Sequence, residues 1–158
     1  MILPRYHIAA STIPGAGQGL FIDEAVVPGQ VVTAPDAIPQ VYSLAEILAS
    51  PALSAQFPAS ARWFEDRYTL SPEWPDECYV NHSFTPTGLW HLGFVFATAG
   101  LPAGTELTVD YRHLLPPGQA EDFVDAATGT TITGYSWHDS ITHSTRELAA
   151  LLARRQES

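Results

Sequence analysis

Apolar residues in this chain fall into short runs, and proline, glycine or polar residues separate the runs every few positions. Several runs are rich in β-branched and aromatic residues, which favour strands over helices. The pattern therefore predicts short, buried strands joined by tight turns rather than a helical bundle. The predicted strands cover residues 19–22, 30–33, 38–41, 68–70, 92–97 and 106–109.

Two segments have the S/T-x-x-E spacing of a helix start, in which the serine and glutamate side chains each bond the other residue's backbone N–H. The pairs are Ser43 with Glu46 and Ser144 with Glu147. We expect helices over residues 44–49 and 145–155, each beginning just after its serine. One or two further helical turns are predicted over residues 61–67.

Length and composition indicate one soluble globular domain. The chain has 158 residues, of which 46% are hydrophobic and 15% charged, and no apolar run is long enough to span a membrane. The N-terminus shows no basic region followed by an apolar stretch, so we expect a cytoplasmic protein. Cys78 is the only cysteine, which excludes an internal disulfide and a zinc site built from cysteines.

The charge balance, with 7 Lys+Arg against 17 Asp+Glu and a net charge of −10, repels phosphate backbones and anionic lipid surfaces. Nucleic acid and membranes are therefore not expected partners. A protein substrate with a basic segment is compatible with this charge, although acidity that only maintains solubility explains it as well.

A glycine-rich loop is the first candidate for chemistry. Gly15, Gly17 and Gly19 alternate within residues 11–21, where the missing side chains would let the backbone approach a ligand. A dinucleotide-binding turn would need a preceding buried strand and a following helix, whereas the residues that follow predict strand, turn and strand. By itself the loop is also compatible with a purely structural turn.

Two later motifs follow the loop. The sequence Asn-His-Ser-Phe-Thr-Pro occupies residues 81–86, and Glu-Leu-Thr-Val-Asp-Tyr occupies residues 106–111. Taken singly, His82 is compatible with a hydrogen-bonded core histidine and Tyr111 with a packing aromatic. Glu106 and Asp110 are expected to be hydrogen-bonding groups of the framework.

Together and in this order, the three segments resemble the SET domain, with its G-x-G-x-G-L-F loop, its N-H-S-x-x-P motif and its E-L-T-x-D-Y motif. The resemblance covers residues 8–35 and 78–113. It implies an α+β, mainly β fold of small curved sheets, with few short helices and a knot-like C-terminal core. We expect the SET domain over residues 1–115. Residues 116–158 would then be a C-terminal flanking segment of the same globular unit that closes the site and ends in a helix.

The resemblance implies a methyltransferase that transfers a methyl group from S-adenosylmethionine to a lysine side chain of a protein. Tyr111 would be the catalytic tyrosine, and no metal is required. The residues expected at the cofactor are Gly17, Gln18, Gly19, Leu20, Asn81, His82, Tyr111 and Trp137. The residues expected along the substrate channel are Tyr68, Trp90, His113 and Tyr135.

The sequence departs from the family pattern at two points. Thr87 stands where the N-H-S-x-x-P motif is usually followed by asparagine, and the cysteine-rich zinc segment that closes the channel in many members is absent. Tyr135 and Trp137 are the candidates for the lid that replaces this segment. A noncatalytic SET module, which binds peptide or cofactor as a docking or regulatory subunit, is the alternative.

Overall fold

Short strands dominate the computed structural model, which describes residues 1–35, 40–71 and 73–156. Over these residues there are twelve strands: β1 (Tyr6–Ala10), β2 (Gln18–Ile22), β3 (Val31–Thr33), β4 (Val41–Tyr42), β5 (Ala61–Phe64), β6 (Arg67–Thr69), β7 (Asn81–His82), β8 (Gly88–His91), β9 (Phe94–Ala97), β10 (Thr105–Val109), β11 (Ala120–Val124) and β12 (Thr131–Thr133). The α-helices in the same ranges are α1 (Leu44–Ala49), α2 (Pro51–Ser54) and α3 (Trp137–Gln156). The predicted class, α+β with mainly small sheets, is confirmed.

The central sheet has the strand order β1-β2-β10-β7 and joins parts of the chain that are far apart in sequence. Strand β10 runs antiparallel to β2, with Leu107 opposite Leu20, and parallel to β7, with Thr108 opposite Asn81. Because the motif strands β7 and β10 are neighbours, the residues that end them lie side by side. The sheet thus assembles the candidate site.

Three smaller sheets surround the central one in the described part of the chain, with strand orders β3-β9-β8, β4-β6-β5 and β11-β12. The core lies between the central sheet and the sheet of β3, β8 and β9. Its buried members are Leu20, Ile22, Val26, Val32, Val80, Val95, Ala97, Leu101, Leu107 and Val109. Burying a side chain the size of leucine or valine stabilises the fold by about 1.5–3 kcal/mol, so this cluster fixes the sheets that support the site.

Helix α1 begins as predicted. Ser43 accepts a hydrogen bond from the Glu46 backbone N–H, and the Glu46 carboxylate accepts one from the Ser43 backbone N–H. Helix α3 begins at Trp137, eight residues before the predicted residue 145, so the predicted start was wrong.

The start of α3 is stabilised by Ser136 rather than by Ser144. The Asp139 backbone N–H donates to the Ser136 hydroxyl, the contact that a helix N-cap makes. Ser144 lies buried inside the helix, where its hydroxyl meets Nδ1 of His91 at 2.9 Å. Although α3 is long, no helix in the described ranges is apolar enough to span a membrane.

The helical turns predicted over residues 61–67 are also wrong, because β5 and β6 form a hairpin there. Glu65, with φ of +46°, supplies the turn, and the aromatic residues on either side favour strand. Of the predicted strand 38–41, residues 38 and 39 lie outside the described residues, and β4 begins at Val41. In the predicted run 92–97, Leu92 and Gly93 form the turn between β8 and β9, with φ of +51° and +84°.

Candidate active site

A cavity of about 1690 Å³ brings the three sequence motifs together. Five of the residues predicted at the site line it, from four separate parts of the chain: Gln18, Asn81, His82, Trp90 and Tyr111. Residues 11–18 form one side, here called the loop wall. The hairpin of β11, β12 and the turn between them forms another side, here called the hairpin wall.

The glycines of the loop wall have the backbone that the sequence pattern suggests. Gly15 and Gly17 have φ of +82° and +76°, a region that residues with a side chain rarely adopt. No atom lies within 4 Å of the position that a Cβ would take at either glycine. The Ser11 backbone N–H donates to the Gly17 carbonyl at 2.9 Å and closes the loop. The loop therefore presents bare backbone beside open space, which fits a ligand lying against it.

Glu106 holds the loop wall to the central sheet. Its carboxylate accepts hydrogen bonds from the Ser11 hydroxyl at 2.6 Å, from the Thr12 backbone N–H at 2.8 Å and from the Thr12 hydroxyl. Burial alone would raise the pKa of Glu106, but these bonds and one from Asn81 lower it. Glu106 is therefore a charged framework group that fixes the loop.

Asn81 and Gly19 complete this arrangement. The Asn81 side-chain amide donates to the Gln18 carbonyl at 2.7 Å and to the Glu106 carboxylate at 3.1 Å. A Cβ at Gly19 would overlap Oε1 of Glu106 and lie 2.7 Å from its Cδ, so only glycine fits. Gly17, Gly19 and Leu20, which were also predicted at the cofactor, do not line the cavity. Gly19 packs on Glu106, and Leu20 is fully buried in the core.

Tyr111 follows β10 directly, and its side chain lines the cavity. Its hydroxyl donates to the Val80 carbonyl at 2.8 Å, and its backbone N–H donates to Nδ1 of His82 at 3.1 Å. Burial, then the charges of Glu121 and Cys78, raises the pKa of Tyr111 well above its ordinary value. The phenol stays protonated, and because its hydrogen is used on Val80, its oxygen remains free to accept a hydrogen bond.

His82 connects the motif strand to the hairpin wall. Because Nδ1 accepts the Tyr111 N–H, the proton of the neutral ring lies on Nε2, which is 3.6 Å from Oδ1 of Asp125. Burial lowers the pKa of His82 despite the opposing charges of Asp110 and Asp125. Nε2 makes no hydrogen bond in the described part of the chain. The contact with Asp125 is therefore that of a neutral imidazole with a carboxylate.

The hairpin wall lies in the flanking segment, residues 116–158, that was expected to close the site, but none of its residues was predicted to contact a ligand. Phe123 meets the Tyr111 ring edge to face, with centroids 6.5 Å apart. Buried Asp125 accepts hydrogen bonds from the Thr128 backbone N–H and hydroxyl, both at 2.7 Å, and so fixes the turn between the strands. The turn sequence Asp-Ala-Ala-Thr-Gly, lying between runs with strand-forming residues, was the signal that could have revealed this hairpin.

The predicted lid residues lie elsewhere. Neither Tyr135 nor Trp137 lines the cavity, whereas residues of β11 do. The Tyr135 ring stacks on the Arg112 guanidinium at 4.7 Å, and its backbone N–H donates to the Arg112 carbonyl. Trp137 is the first residue of α3. The cofactor and lid roles predicted for these two residues have no support in their position.

Two predicted channel residues, Tyr68 and His113, also lie outside the cavity lining. Tyr68 is fully buried beside its cross-strand neighbour Arg62. His113 is buried against α3, where Nδ1 meets the Ser140 hydroxyl at 2.9 Å, and burial lowers its pKa to about 4. Both positions are those of core residues, and Trp90 alone of the four predicted channel residues lines the cavity.

Thr87, the departure from the family pattern, makes structural hydrogen bonds. Its hydroxyl donates to the Glu106 carbonyl at 2.9 Å and accepts from the Thr108 backbone N–H at 2.9 Å. These bonds join the segment after the N-H-S-x-x-P motif to β10. The missing asparagine therefore leaves this connection between the two motifs intact.

Comparison with known proteins does not identify the chain: no family model matches it, and neither does any curated protein. Among the described residues, no group of three or more His, Cys, Asp and Glu side chains could hold a metal ion. The site is thus a large cavity with a bare glycine loop on one side, a protonated tyrosine within it and aromatic residues around it.

Proposed function

We propose that this protein is a SET-type methyltransferase that uses S-adenosylmethionine to methylate a lysine side chain of a protein substrate. The observation that carries the proposal is the environment of Tyr111. Tyr111 lines the cavity, and its hydroxyl donates to the Val80 carbonyl. Its backbone N–H donates to His82, the second residue of the Asn-His-Ser motif. This arrangement supports a tyrosine that accepts a hydrogen bond from an incoming amine.

The loop wall fits the cofactor. Gly15 has open space beside its backbone, and Gly15, Gln18 and Asn81 line the same cavity. Bound S-adenosylmethionine would supply an activated methyl group. Glu106 would act only indirectly, because its carboxylate is occupied by the hydrogen bonds that hold the loop.

The chain must present the target amine in its neutral form. Neutralising a lysine with a pKa near 10.4 at pH 7 costs about 4–5 kcal/mol. The raised pKa of Tyr111 excludes a tyrosinate as the base at neutral pH. Desolvation beside the Tyr111 ring would lower the lysine pKa instead, and the Tyr111 oxygen would orient the nitrogen. Positioning of this kind can lower a barrier by up to about 7–11 kcal/mol.

The first test is calorimetric titration of the purified protein with S-adenosylmethionine. We expect saturable one-to-one binding that Asn81→Ala weakens about tenfold, because the Asn81 amide holds the Gln18 carbonyl. A melting curve for the variant distinguishes weakened binding from unfolding. Absence of binding to a well-folded wild-type protein would contradict the cofactor assignment and favour the noncatalytic module.

The second test is methyl transfer from labelled S-adenosylmethionine to basic protein fractions. All seven basic residues of the 158 are arginine, so the chain itself offers no lysine and label on a lysine comes from the substrate. Tyr111→Phe should lower turnover at least about a hundredfold while largely preserving cofactor binding. Tyr68→Phe is the matched control, since the Tyr68 hydroxyl is buried outside the cavity without a hydrogen bond among the described residues. Full turnover in Tyr111→Phe would refute the catalytic role.

A further inference from the structure

Strand β11 lines the cavity beside Tyr111, although none of its residues was predicted at the site. The pairing of β11 with β12 is irregular within β11, and both Glu121 and Phe123 line the cavity. Phe123 meets the Tyr111 ring edge to face, and the charge of Glu121 contributes to the raised pKa of Tyr111. Both side chains are therefore close to the group to which we assign the catalytic role.

Apolar surface is exposed along this wall of the cavity. Phe123 is 47% exposed and Val124 is 50% exposed, and Trp74, another lining residue, is 53% exposed. Large apolar side chains that line a cavity and remain half exposed are typical of a surface that another molecule covers. The ring centroids of Phe123 and Tyr111 are 6.5 Å apart, and consecutive Cα atoms are about 3.8 Å apart. A side chain one or two residues from a lysine held at Tyr111 would thus reach Phe123.

Negative charge accompanies this apolar surface. Glu121 and Asp122 line the cavity, and within the described ranges their side chains have no hydrogen-bond or ion-pair partner. Burial, then the charge of Asp122, raises the pKa of Glu121. Among the described residues that line the cavity, none is an arginine or a lysine. A cationic group from a bound molecule would relieve the repulsion between the two carboxylates.

The cavity has room for a second occupant beside the cofactor. Its volume of about 1690 Å³ exceeds the roughly 300–1,000 Å³ that is typical of sites for one small molecule. An extended protein segment can bind along one strand and contact both its apolar and its anionic surface.

We propose that β11 selects the sequence around the target lysine. A large apolar side chain next to that lysine contacts Phe123, and a nearby cationic side chain pairs with Glu121 and Asp122. The substrate is thus a segment of mixed apolar and basic character rather than a uniformly basic tail. This inference rests on the proposed function for the identity of the central residue.

The test compares four fluorescein-labelled glycine–serine peptides that each contain one central lysine. One has no other feature, one has a phenylalanine beside the lysine, one has an arginine nearby, and one has both. Fluorescence anisotropy measures their affinity with and without S-adenosylhomocysteine, which cannot donate a methyl group. We expect the peptide with both features to bind at least tenfold more tightly than the plain peptide.

Three variants test which residues cause the tighter binding of the peptide with both features. Phe123→Ala should remove the gain from the peptide phenylalanine, and the double variant Glu121→Gln, Asp122→Asn should remove the gain from the arginine and its salt dependence. Phe94→Ala is the matched control, because Phe94 is a comparably exposed phenylalanine on β9 that does not line the cavity. It should leave every affinity unchanged.

The outcomes separate this inference from the proposed function. Equal affinity for all four peptides, or an equal loss for all of them in Phe123→Ala, would overturn the inference. Methylation of the plain lysine peptide at the same rate as the others would do so too, yet it would support the methyltransferase. Selective peptide binding by a protein that does not bind S-adenosylmethionine would instead uphold the inference as a docking surface and overturn the enzyme.

Discussion

The loop wall and the hairpin wall line the same cavity, but they are attached to the fold in different ways. The loop wall is held by a charged carboxylate, Glu106, which accepts hydrogen bonds from Ser11, Thr12 and Asn81 and lies on the central sheet. The hairpin wall is a separate two-stranded sheet, and Asp125 fixes its turn beside His82. The loop wall is therefore tied to the central sheet, whereas the hairpin wall belongs to a sheet of its own.

This difference matches the tasks that we propose for the two walls. A cofactor of constant shape benefits from a fixed loop, because preorganisation reduces the entropy lost on binding. A protein segment of variable sequence benefits from a wall that can adjust. Hairpins without further strands are only marginally stable, so the hairpin wall is expected to open at lower free energy than the central sheet.

The largest effect should come from removing the anchor of the loop wall. Glu106→Ala would leave the donors on Ser11, Thr12 and Asn81 without their carboxylate and should lower the free energy of unfolding by about 3 kcal/mol or more. Urea denaturation measures this change, and calorimetry should show loss of S-adenosylmethionine binding. Glu24→Ala is the control, because Glu24 pairs with Arg5 at the surface. Equal stability of the two variants would contradict the assignment of Glu106 as the anchor.

A second comparison places the same substitution beside the anchor of the loop wall, at Gly19, and in the hairpin wall, at Gly129. Gly19→Ala forces a Cβ against the Glu106 carboxylate and should cost about 1–3 kcal/mol. Gly129→Ala, in the hairpin turn, meets no atom within 4 Å, so only its φ of +69° opposes it, at about 1–2 kcal/mol. Melting curves rank the two variants. If Gly129→Ala lowered the melting temperature more than Gly19→Ala, the hairpin wall would be more tightly coupled to the rest of the fold than the loop wall.

The anchor of the hairpin wall should have a more local effect. Asp125→Ala removes both hydrogen bonds from Thr128 and should destabilise the turn by about 1–3 kcal/mol. Hydrogen exchange should accelerate in β11 and β12 while the amides of β2 and β10 keep their protection. Thr130→Ala, at the exposed end of the turn, is the control. Uniform acceleration across the chain would show that the hairpin does not open independently.

The smallest expected effect is a difference in how the two walls respond to mild acid. The folded pKa of His82 lies below its ordinary 6.5, so its contribution to stability is present above pH 6.5 and is lost as the pH falls below that value. The folded pKa of Glu106 lies below 4.5, so its contribution persists until the pH falls below 4.5. Between these values, hydrogen exchange should accelerate first in the hairpin wall.

Burial also lowers the pKa values of His91 and His113, and their neutral forms lie beside serines of α3. Their contributions fall in the same direction, so global stability should decline between pH 6.5 and about 4 as well. Because the whole protein becomes less stable, the hydrogen-exchange rates of the two walls are compared with each other at each pH. Earlier loss of protection in the loop wall would contradict the predicted order.

The sequence by itself determined the local features of this protein. Alternating glycines specify a loop with positive φ, since a side chain strains that backbone, and Ser43 with Glu46 specifies the start of α1 because the capping contacts span three residues. The order of the motifs also predicted that Asn81, His82 and Tyr111 belong to one site, and all three line one cavity.

Only the tertiary structure decided which residues form the remaining walls. Ser144 has the spacing of a helix cap, yet it lies inside α3 because its hydroxyl is buried against His91. Tyr135 and Phe123 are both aromatic residues in strand-like surroundings, but the hairpin turns Phe123 toward Tyr111 while Arg112 stacks on Tyr135. Contacts between residues distant in sequence have no local signature, so which aromatic residue reaches the site is decided by packing.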